Sequence, residues 1–366
     1  MNTDSTDTNS IGKINRRRKR RVLPPEFEGK VRLNNRGKWV RIGPTPDRIS
    51  YPQNWPQYNR AQTQEKLLFY QILSDSVDSL GIEEKFGARG RPYNLMGDML
   101  KACVIKVFVG LSSRRTISEL KLVQKMGYIR KVPHYNSIVN YLNSKETEEH
   151  LNVLYRKLAL PLKGVEKKFA VDATGFSTSL KAFWSTERMR QRLNKKIEYR
   201  LWRKLHIVTG VSSNIITSAA VTDGKSHDSP QFEGLVKDTS RSFEISELSA
   251  DAGYISHDNV KLVSNLGGTP YIMPRSNTSY RQIRDPEWKR MLILWRDNKE
   301  EFKRHYHLRS NVESTFSMMK RKFSDKLRSR KVQAQTNEIL CKVVCHNISV
   351  LVSGIFELGL ELNFNS

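Results

Sequence analysis

A series of short apolar segments after Leu160 constrains the fold of this chain more than any other feature. KKFAVDATG has the pattern of a short buried strand that ends at Asp172, and ISELSAD has that of a strand that ends at Asp251. Between them, LHIVTGV and IITSAAV are separated by SSN, as in a hairpin. Helical patterns are predicted at 230–237, at 257–266 and from about 285 onward, with the strand TPYIM before the last of them. The predicted order is strand, strand, strand, helix, strand, helix, strand, helix.

This order is that of a ribonuclease H-like fold, an α/β class in which a mixed sheet is flanked by helices. The fold places one carboxylate on its first strand and a second at the end of its fourth. Asp172 and Asp251 occupy these two positions. Each aspartate alone is more simply explained as a turn or helix-cap residue, so the prediction of a shared site depends on both together.

The charge of the chain indicates its partner. Its 366 residues include 63 Lys and Arg against 37 Asp and Glu, a formal net charge of +26. Such a chain attracts polyanions through counterion release, and nucleic acid is the leading candidate. A membrane is disfavoured because no apolar run approaches the roughly 18 residues of a spanning helix. The start, MNTDSTDTNS, lacks the apolar core of a signal peptide, so we expect a cytoplasmic, nucleoid-associated protein.

Two regions of different character precede the predicted sheet. Residues 1–60 are polar and basic and are predicted to be a disordered basic tail, because they cannot form a core. Residues 61–160 repeat apolar residues every three or four positions, which predicts an α-helical region. Its short helices and basic residues favour a helix-turn-helix-like DNA-binding domain, with a generic helical bundle as the alternative. The basic residues are Arg114, Arg115, Lys121 and Lys131. Residues 161–361 are assigned to the sheet-containing domain.

The cysteines are few. Cys341 and Cys345 are followed directly by His346, which could suggest a metal site. A fourth ligand is missing nearby, and the flanking sequence has the pattern of an apolar helix. We therefore expect core cysteines.

The sequence KRHYHLRSNVESTFSMMKRKF carries a third candidate carboxylate, Glu313. Tyr306, Arg309, Glu313 and Lys320 follow one another at intervals of three, four and seven residues. In one continuous helix these intervals bring all four side chains onto one face. Such a face presents a carboxylate flanked by cations that can hold phosphates. The alternative is a surface ion pair between Arg309 and Glu313, which are four residues apart.

Carboxylates from three separate elements suit the cleavage of a phosphodiester. Two divalent ions held roughly 3.5–4 Å apart activate the attacking oxygen and stabilise the leaving one. Mg²⁺ prefers oxygen ligands and retains several waters, so a few carboxylates suffice to hold it. Asp172, Asp251 and Glu313 are therefore predicted to bind two ions, Mg²⁺ or Mn²⁺, and to be the catalytic residues.

These segments resemble the DDE transposases of prokaryotic insertion sequences, families four and five in particular. The third-carboxylate helix of these families carries Tyr, Arg, Glu and Lys at the intervals seen from Tyr306 to Lys320. VDATGFS and SADAGYIS resemble the ends of their carboxylate-bearing strands, and the similarity extends over roughly 90–361. The short interval between Asp251 and Glu313 favours members without a large β insertion.

The resemblance implies a transposase that binds double-stranded DNA at the terminal inverted repeats of an insertion sequence. Water frees a 3′-hydroxyl at the element's end, and that hydroxyl then attacks target DNA without a covalent enzyme intermediate. In this family Arg309 and Lys320 would hold phosphates, and Tyr306 would contact the terminal nucleotide. Joining two ends in one reaction implies a homodimer in the DNA complex.

A basic stretch from Lys181 to Lys204, interleaved with aromatic residues, is predicted to face DNA. A solvated charged helix remains the alternative for this stretch. The residues selected as DNA-binding within it are Arg188, Arg192, Lys196, Arg200 and Arg203.

Two other functions remain open. A nuclease of the same fold would use the same metals and hydrolyse DNA without strand transfer. A domesticated, non-catalytic DNA-binding protein would retain the fold with a broken set of carboxylates, whereas all three are present here.

Overall fold

The computed structural model describes residues 54–83, 94–178, 202–275, 278 and 285–364, together with the backbone of two short strands nearer the N-terminus. The chain forms two compact units, Met1–Gln53 and Asn54–Ser366. In the first unit, strand β1 (Val31–Leu33) pairs with β2 (Trp39–Arg41) in antiparallel fashion. The sequence analysis predicted no regular structure there, so this hairpin is an addition to the expected tail.

Five helices open the second unit, in the region predicted to be helical. They are α1 (Trp55–Asp78), α2 (Met96–Phe108), α3 (Ser113–Lys125), α4 (Tyr135–Leu142) and α5 (Lys145–Ala159). The polar residues before α1 and α3 cap them, since Asn54 and Ser112 accept hydrogen bonds from first-turn amides. Residues 54–366 are one compact unit, so no compact boundary falls at the predicted position near 160.

A five-stranded mixed sheet follows, in the order β5-β4-β3-β6-β7. The strands are β3 (Lys168–Ser177), β4 (Trp202–Gly210), β5 (Ile216–Asp223), β6 (Glu247–Ala250) and β7 (Thr269–Ile272). The first three are antiparallel, whereas β6 and β7 run parallel to β3. Helices α6 (Ser229–Ser240), α7 (His257–Asn265) and α8 (Pro286–Asp297) follow β5, β6 and β7, so the predicted order of elements is confirmed.

Strand β3 differs from its prediction in length. It does not end at Asp172 but continues to Ser177. The reason is β4, which pairs with β3 as far as the contact between Ser177 and Trp202. Asp172 therefore lies in the middle of a strand, where neighbouring strands fix its position.

The remaining helices lie at the C-terminal side: α9 (Lys299–Tyr306), α10 (Ser310–Phe323) and α11 (Val332–Glu357). Helix α11 is long and apolar enough to cross a membrane, and no other described helix is. The sequence analysis did not foresee this. Most of its surface is buried against α1, α2, α5 and β5, as in the core helix of a soluble fold.

The polar residues of α11 serve the interior of the fold. Asn347 is fully buried; its amide nitrogen donates to the carbonyls of Tyr155 and Ile216, and its amide oxygen accepts from Ile216 N. Cys341 and Cys345 are buried free thiols, as expected for core cysteines. Burial lowers the pKa of His346 to about 4, and this neutral ring contacts the carbonyl of Asn214.

Replacing Asn347 tests how strongly α11 is tied to the sheet. Asn347→Leu leaves three backbone groups without a partner, and we expect a loss of about 2–4 kcal/mol in the free energy of unfolding, measured by urea titration. The matched control is Asn265→Leu at the exposed end of α7, where we expect a change below about 0.5 kcal/mol. Equal effects of the two substitutions would contradict a structural role for Asn347.

Candidate active site

Asp172 and Asp251 lie side by side on neighbouring strands. The parallel register of β3 and β6 pairs Val171 with Ala250, and each aspartate is the next residue along its chain. Adjacent strands are about 4.8 Å apart, and residues in register on parallel strands point to the same face of the sheet. The topology thus brings together two aspartates that are far apart in sequence.

Both aspartates are held by backbone amides. Asp172 Oδ1 accepts from Ala173 N at 2.8 Å. Asp251 begins a 3₁₀ turn, Ala252–Tyr254, and its Oδ1 accepts from Gly253 N at 2.8 Å. These bonds fix the orientation of both carboxylates at the end of β6.

Burial changes the chemistry of Asp172. Its side chain is 18% exposed, and burial raises its pKa to about 6, with Asp251 and Glu313 adding to the increase. The amide of Ala173 and the guanidinium of Arg309 act in the opposite direction but do not outweigh burial. The site therefore places negative charge where the protein solvates it poorly, and a cation would compensate that charge.

Glu313 lies in the first turn of α10. The continuous helix predicted through Tyr306, Arg309, Glu313 and Lys320 is wrong: α9 ends at Tyr306, residues His307–Arg309 form a 3₁₀ turn, and α10 begins at Ser310. The four residues do not share one helix face by helical periodicity alone. Only Glu313 and Lys320 belong to the same α-helix.

Arg309 nevertheless joins two of the predicted carboxylates. Its Nη1 donates to Asp172 Oδ2 and its Nη2 donates to Glu313 Oε1, both at 2.6 Å. The pair with Glu313 was foreseen as a surface interaction. The contact with Asp172 was not foreseen, and it holds the Arg309 side chain partly buried, at 20% exposed, whereas the Glu313 side chain stays 59% exposed.

Lys320 and Tyr306 lie on either side of this bridge. Lys320 Nζ donates to Thr174 Oγ1 at 2.5 Å, and Thr174 follows Asp172 by two residues, on the same face of β3. Burial lowers the pKa of the Lys320 ammonium. The ring of Tyr306 lies under the Arg309 guanidinium, 5.8 Å from Cζ to the ring centroid. Helix α10 and the 3₁₀ turn before it therefore lie along β3, and they present Lys320 and Arg309 to the strand of Asp172.

The turn that carries Arg309 is anchored to the sheet. His305 Nδ1 lies 2.7 Å from Glu247 Oε2 at the start of β6, and the His305 ring stacks on Tyr271 of β7. Ser249 Oγ donates to the carbonyl of His305. These contacts fix the end of α9 beside β6 and so position the 3₁₀ turn next to Asp172.

Comparison with known proteins agrees with this arrangement. The Transposase DDE domain matches residues 163–348, just over half of the chain and all three candidate carboxylates. The chain belongs to the DDE transposase family. Among solved structures it is similar to a chain of the "Cryo-EM structure of piggyBac transposase synaptic complex with hairpin DNA", with 12% sequence identity over 81% of this chain and 77% of that chain. The TM-score of that match is 0.38, so no structural argument is drawn from it.

The donor set of this transposase fits a hard divalent cation in kind. Asp172 and Asp251 are adjacent, and carboxylate oxygens are the ligands such ions prefer. The geometry is incomplete, because no group of three His, Cys, Asp or Glu side chains in the described part of the chain forms a compact cluster. The Arg309 guanidinium lies between Asp172 and Glu313, so these carboxylates meet only through it.

Two further groups lie near the transposase carboxylates. The HDS segment at 227–229 makes Asp228 a weaker fourth candidate from the sequence, with a helix N-cap as the simpler interpretation; its side chain makes no cap hydrogen bond and lies 2.5 Å from Lys204 Nζ. The Tyr254 hydroxyl is buried without a hydrogen-bond partner among the described residues. Burial raises its pKa, and Asp228, Asp172 and Asp251 add to the effect. The sequence analysis missed Tyr254, because no local pattern marks it.

Most of the basic stretch predicted to face DNA lies outside the described residues. This holds for Arg188, Arg192, Lys196 and Arg200. Arg203 is described, in β4, and the prediction for it is not supported. Its side chain is buried and donates to Thr336 Oγ1 of α11, because at this position of β4 the side chain points into the core.

The balance of charge at Asp172 predicts a pH-dependent stability. The folded pKa of about 6 exceeds the ordinary 3.8, so this contribution to stability is complete below pH 3.8 and is lost as the pH rises through 6. Asp172→Asn avoids that loss. In chelator at pH 7.5 we expect the variant to exceed the wild type by about 1–3 kcal/mol in the free energy of unfolding, and by roughly a third of that at pH 4.5.

The control for this experiment is Asp258→Asn, at an exposed carboxylate of α7. We expect it to change the free energy of unfolding by less than about 0.5 kcal/mol at either pH. An Asp172→Asn variant that is less stable than the wild type at pH 7.5 would show that the ion pair with Arg309 outweighs burial.

Proposed function

We propose that this protein is the transposase of an insertion sequence, which binds the ends of the element and catalyses metal-dependent DNA cleavage and strand transfer. The observation that carries the proposal is the convergence of Asp172, Asp251 and Glu313 through the β3–β6 register and the Arg309 bridge. The strand order β5-β4-β3-β6-β7 supports a ribonuclease H-like fold for the sheet domain.

In the proposed reaction, Asp172, Asp251 and Glu313 would hold two Mg²⁺ or Mn²⁺ ions, which when bound would supply activation of the attacking oxygen and stabilisation of the leaving one. Asp172 and Asp251 provide the adjacent ligands, and the amides of Ala173 and Gly253 keep both carboxylates oriented. Glu313 would contribute from the first turn of α10, where its side chain is 59% exposed and turns inward once its bond to Arg309 is exchanged. Asp172 must lose its proton before it can act as a ligand.

The cations of α10 and the preceding turn then serve the phosphates. Arg309 exchanges its carboxylate partners for a phosphate, to which its planar guanidinium offers two parallel donors. Lys320 is held beside Asp172 by Thr174 and the ring of Phe176, so its ammonium neutralises a neighbouring phosphate. Tyr306, packed under Arg309, contacts the terminal nucleotide.

The rest of the chain supports recognition of double-stranded DNA. The excess of Lys and Arg favours a polyanion, and the short helices α2, α3 and α4 suit a helix-turn-helix-like DNA-binding region between 61 and 160. Terminal inverted repeats and target DNA are the proposed substrates. A homodimer in the complex follows from the need to join two ends in one reaction.

Alanine at each carboxylate tests the assignment. We expect Asp172→Ala, Asp251→Ala and Glu313→Ala each to reduce cleavage of an element-end duplex by at least about 100-fold, because a metal ligand is lost. Binding of the same duplex should stay within about threefold of the wild type, as measured by fluorescence anisotropy. Asp297→Ala, at an exposed aspartate of α8, is the control and should cleave at the wild-type rate. Retained cleavage in any of the three variants would contradict the role of that residue.

A nuclease on the same fold is distinguished by its products. The wild-type protein is incubated with Mg²⁺, a labelled element end and an unlabelled target plasmid. A transposase gives a labelled end joined to the plasmid, whereas a nuclease gives shortened duplex alone. Cleavage without any joined product, at several target concentrations, would reject strand transfer and leave the nuclease.

A further inference from the structure

A basic groove lies apart from the carboxylates, between the helical region and the segment that follows α10. It consists of two adjoining cavities of about 480 and 210 Å³ that share Lys106 and Arg328. We call it the Lys106 groove. The other cations of the lining are Arg321, Lys322, Lys326, Arg330, Lys331 and Lys342, and Glu338 is its acidic residue.

Lys106 is a mostly buried lysine without a protein partner. It lies in the last turn of α2, and the residue is only 7% exposed, yet it makes no hydrogen bond or ion pair within the described part of the chain. Its ammonium is not among the enclosed unpaired polar atoms of the described residues, so the side chain is buried along its stem and reaches the solvent of the cavities at its charged end. The ammonium lines both cavities, where an anion could neutralise it.

The other buried lysines of this fold behave differently. Lys101 donates to Asp78, to Ser74 Oγ and to the carbonyl of Tyr128. Lys342 donates to the carbonyls of Ser324 and Lys326. Where the fold uses a buried ammonium to stabilise itself, it provides acceptors. Lys106 has no such acceptor among the described residues, so its charge is available to an anion in the groove.

The acid of the groove is already engaged. Glu338 accepts from the amides of Arg328 and Ser329, at 2.8 to 3.1 Å, and forms no ion pair with Lys106. Its charge holds the backbone of the segment that follows α10, residues 324–331, which we call the basic segment. It leaves the side chains of Arg328, Arg330 and Lys331 exposed and without ion pairs to the described residues.

Two helix N-termini add to the positive potential. Helix α3 begins at Ser113 and α11 begins at Val332, and the residues at both starts line the larger cavity. No side chain caps α11, so its first amides are available to an anion. Free amides and the helix dipole together favour phosphate, in support of the argument from Lys106.

The groove has a fixed position relative to the active site. Ser177, at the end of β3, donates to the carbonyl of Asp325 and accepts from the amide of Leu327. The basic segment thus occupies the edge of β3 that β6 leaves free, five residues beyond Asp172. Five residues of strand span about 17 Å, the length of about five base pairs of duplex.

We propose that the Lys106 groove binds the phosphate backbone of double-stranded DNA, about five or more base pairs from the phosphate held at the carboxylates. The proposal rests on the proposed function for its choice of polyanion. The contact is independent of base sequence, because the groove offers Lys and Arg side chains and helix amides. Its role is to fix the direction in which the duplex leaves the active site.

The first experiment measures binding without catalysis. Arg330→Gln/Lys331→Gln is compared with wild type for binding of a 40-base-pair duplex by fluorescence anisotropy, in chelator, over a series of salt concentrations. We expect a Kd at least about tenfold higher, and a slope of log K against log salt that is smaller by about two. Lys261→Gln/Lys289→Gln, which removes the same charge from α7 and α8, should change the Kd by less than about threefold.

The second variant separates a ligand-binding lysine from a structural one. Lys106→Met keeps the length of the side chain and removes the charge. We expect a Tm no lower than that of the wild type without DNA, and a weaker affinity for the duplex. A lower Tm together with unchanged affinity would assign Lys106 to the core and overturn the proposal. Unchanged Kd and unchanged salt slope in Arg330→Gln/Lys331→Gln would overturn it as well.

These outcomes are independent of the proposed catalytic function. If strand transfer fails while the groove variants lose affinity, the groove proposal stands and the transposase proposal falls. If strand transfer succeeds and the groove variants bind as the wild type does, only the groove proposal is rejected. Placing a single neutral methylphosphonate at each position of the duplex then locates the contact, which should lie five or more base pairs from the cleaved phosphate.

Discussion

The parallel pairing of β3 with β6 is the constraint on which the site depends. It places Asp172 beside Asp251, although a hairpin and a helix separate them in sequence. Side chains alternate between the faces of a strand, so a shift of register by one residue would move one aspartate to the opposite face. The apolar residues around each aspartate prevent that shift, because Val171 and Ala250 are fully buried. The packing of the core therefore also fixes the positions of the two aspartates.

Arg309 connects this pair of strands to the third carboxylate, and the same contacts limit what the site can do in isolation. Its guanidinium donates to Asp172 and to Glu313, and both bonds would have to be exchanged for Glu313 to join the aspartates at a metal. Under the proposed function, DNA phosphate takes up the guanidinium as cations take up the carboxylates. A cation that binds the carboxylates leaves the guanidinium without its partners, and a phosphate that binds the guanidinium leaves the carboxylates without a counter-charge. Each binding event therefore favours the other.

The sequence was sufficient for the order of elements, since strands and turns have strong local patterns. It also singled out Asp172 and Asp251, which the sheet places side by side, and the role of the three acids stays a prediction. The sequence was insufficient where tertiary contacts decide. Strand β3 extends past Asp172 because β4 pairs with it, although ATGFS carries no alternating pattern of its own. The 3₁₀ turn at His307–Arg309 interrupts a sequence without Pro or Gly, and the anchoring of His305 to Glu247 accounts for it. Arg203 is basic in a basic stretch, yet the pairing of β4 turns it inward.

The charge of the chain is a second example. Composition predicts that the partner is a polyanion, but it does not predict where on the protein that partner binds. Cations near the carboxylates are already engaged, Arg309 with Asp172 and Glu313 and Lys320 with Thr174. Lys106 is different, because it lines two cavities and has no partner among the described residues. Strand β3 fixes the distance between the two charged regions. The acids lie at its middle, and the basic residues lie beside its end. Under the proposed function and the groove proposal, a DNA end that reaches the acids is directed along the basic segment. Because a duplex of this length is stiff, the two contacts must then lie about five or more base pairs apart.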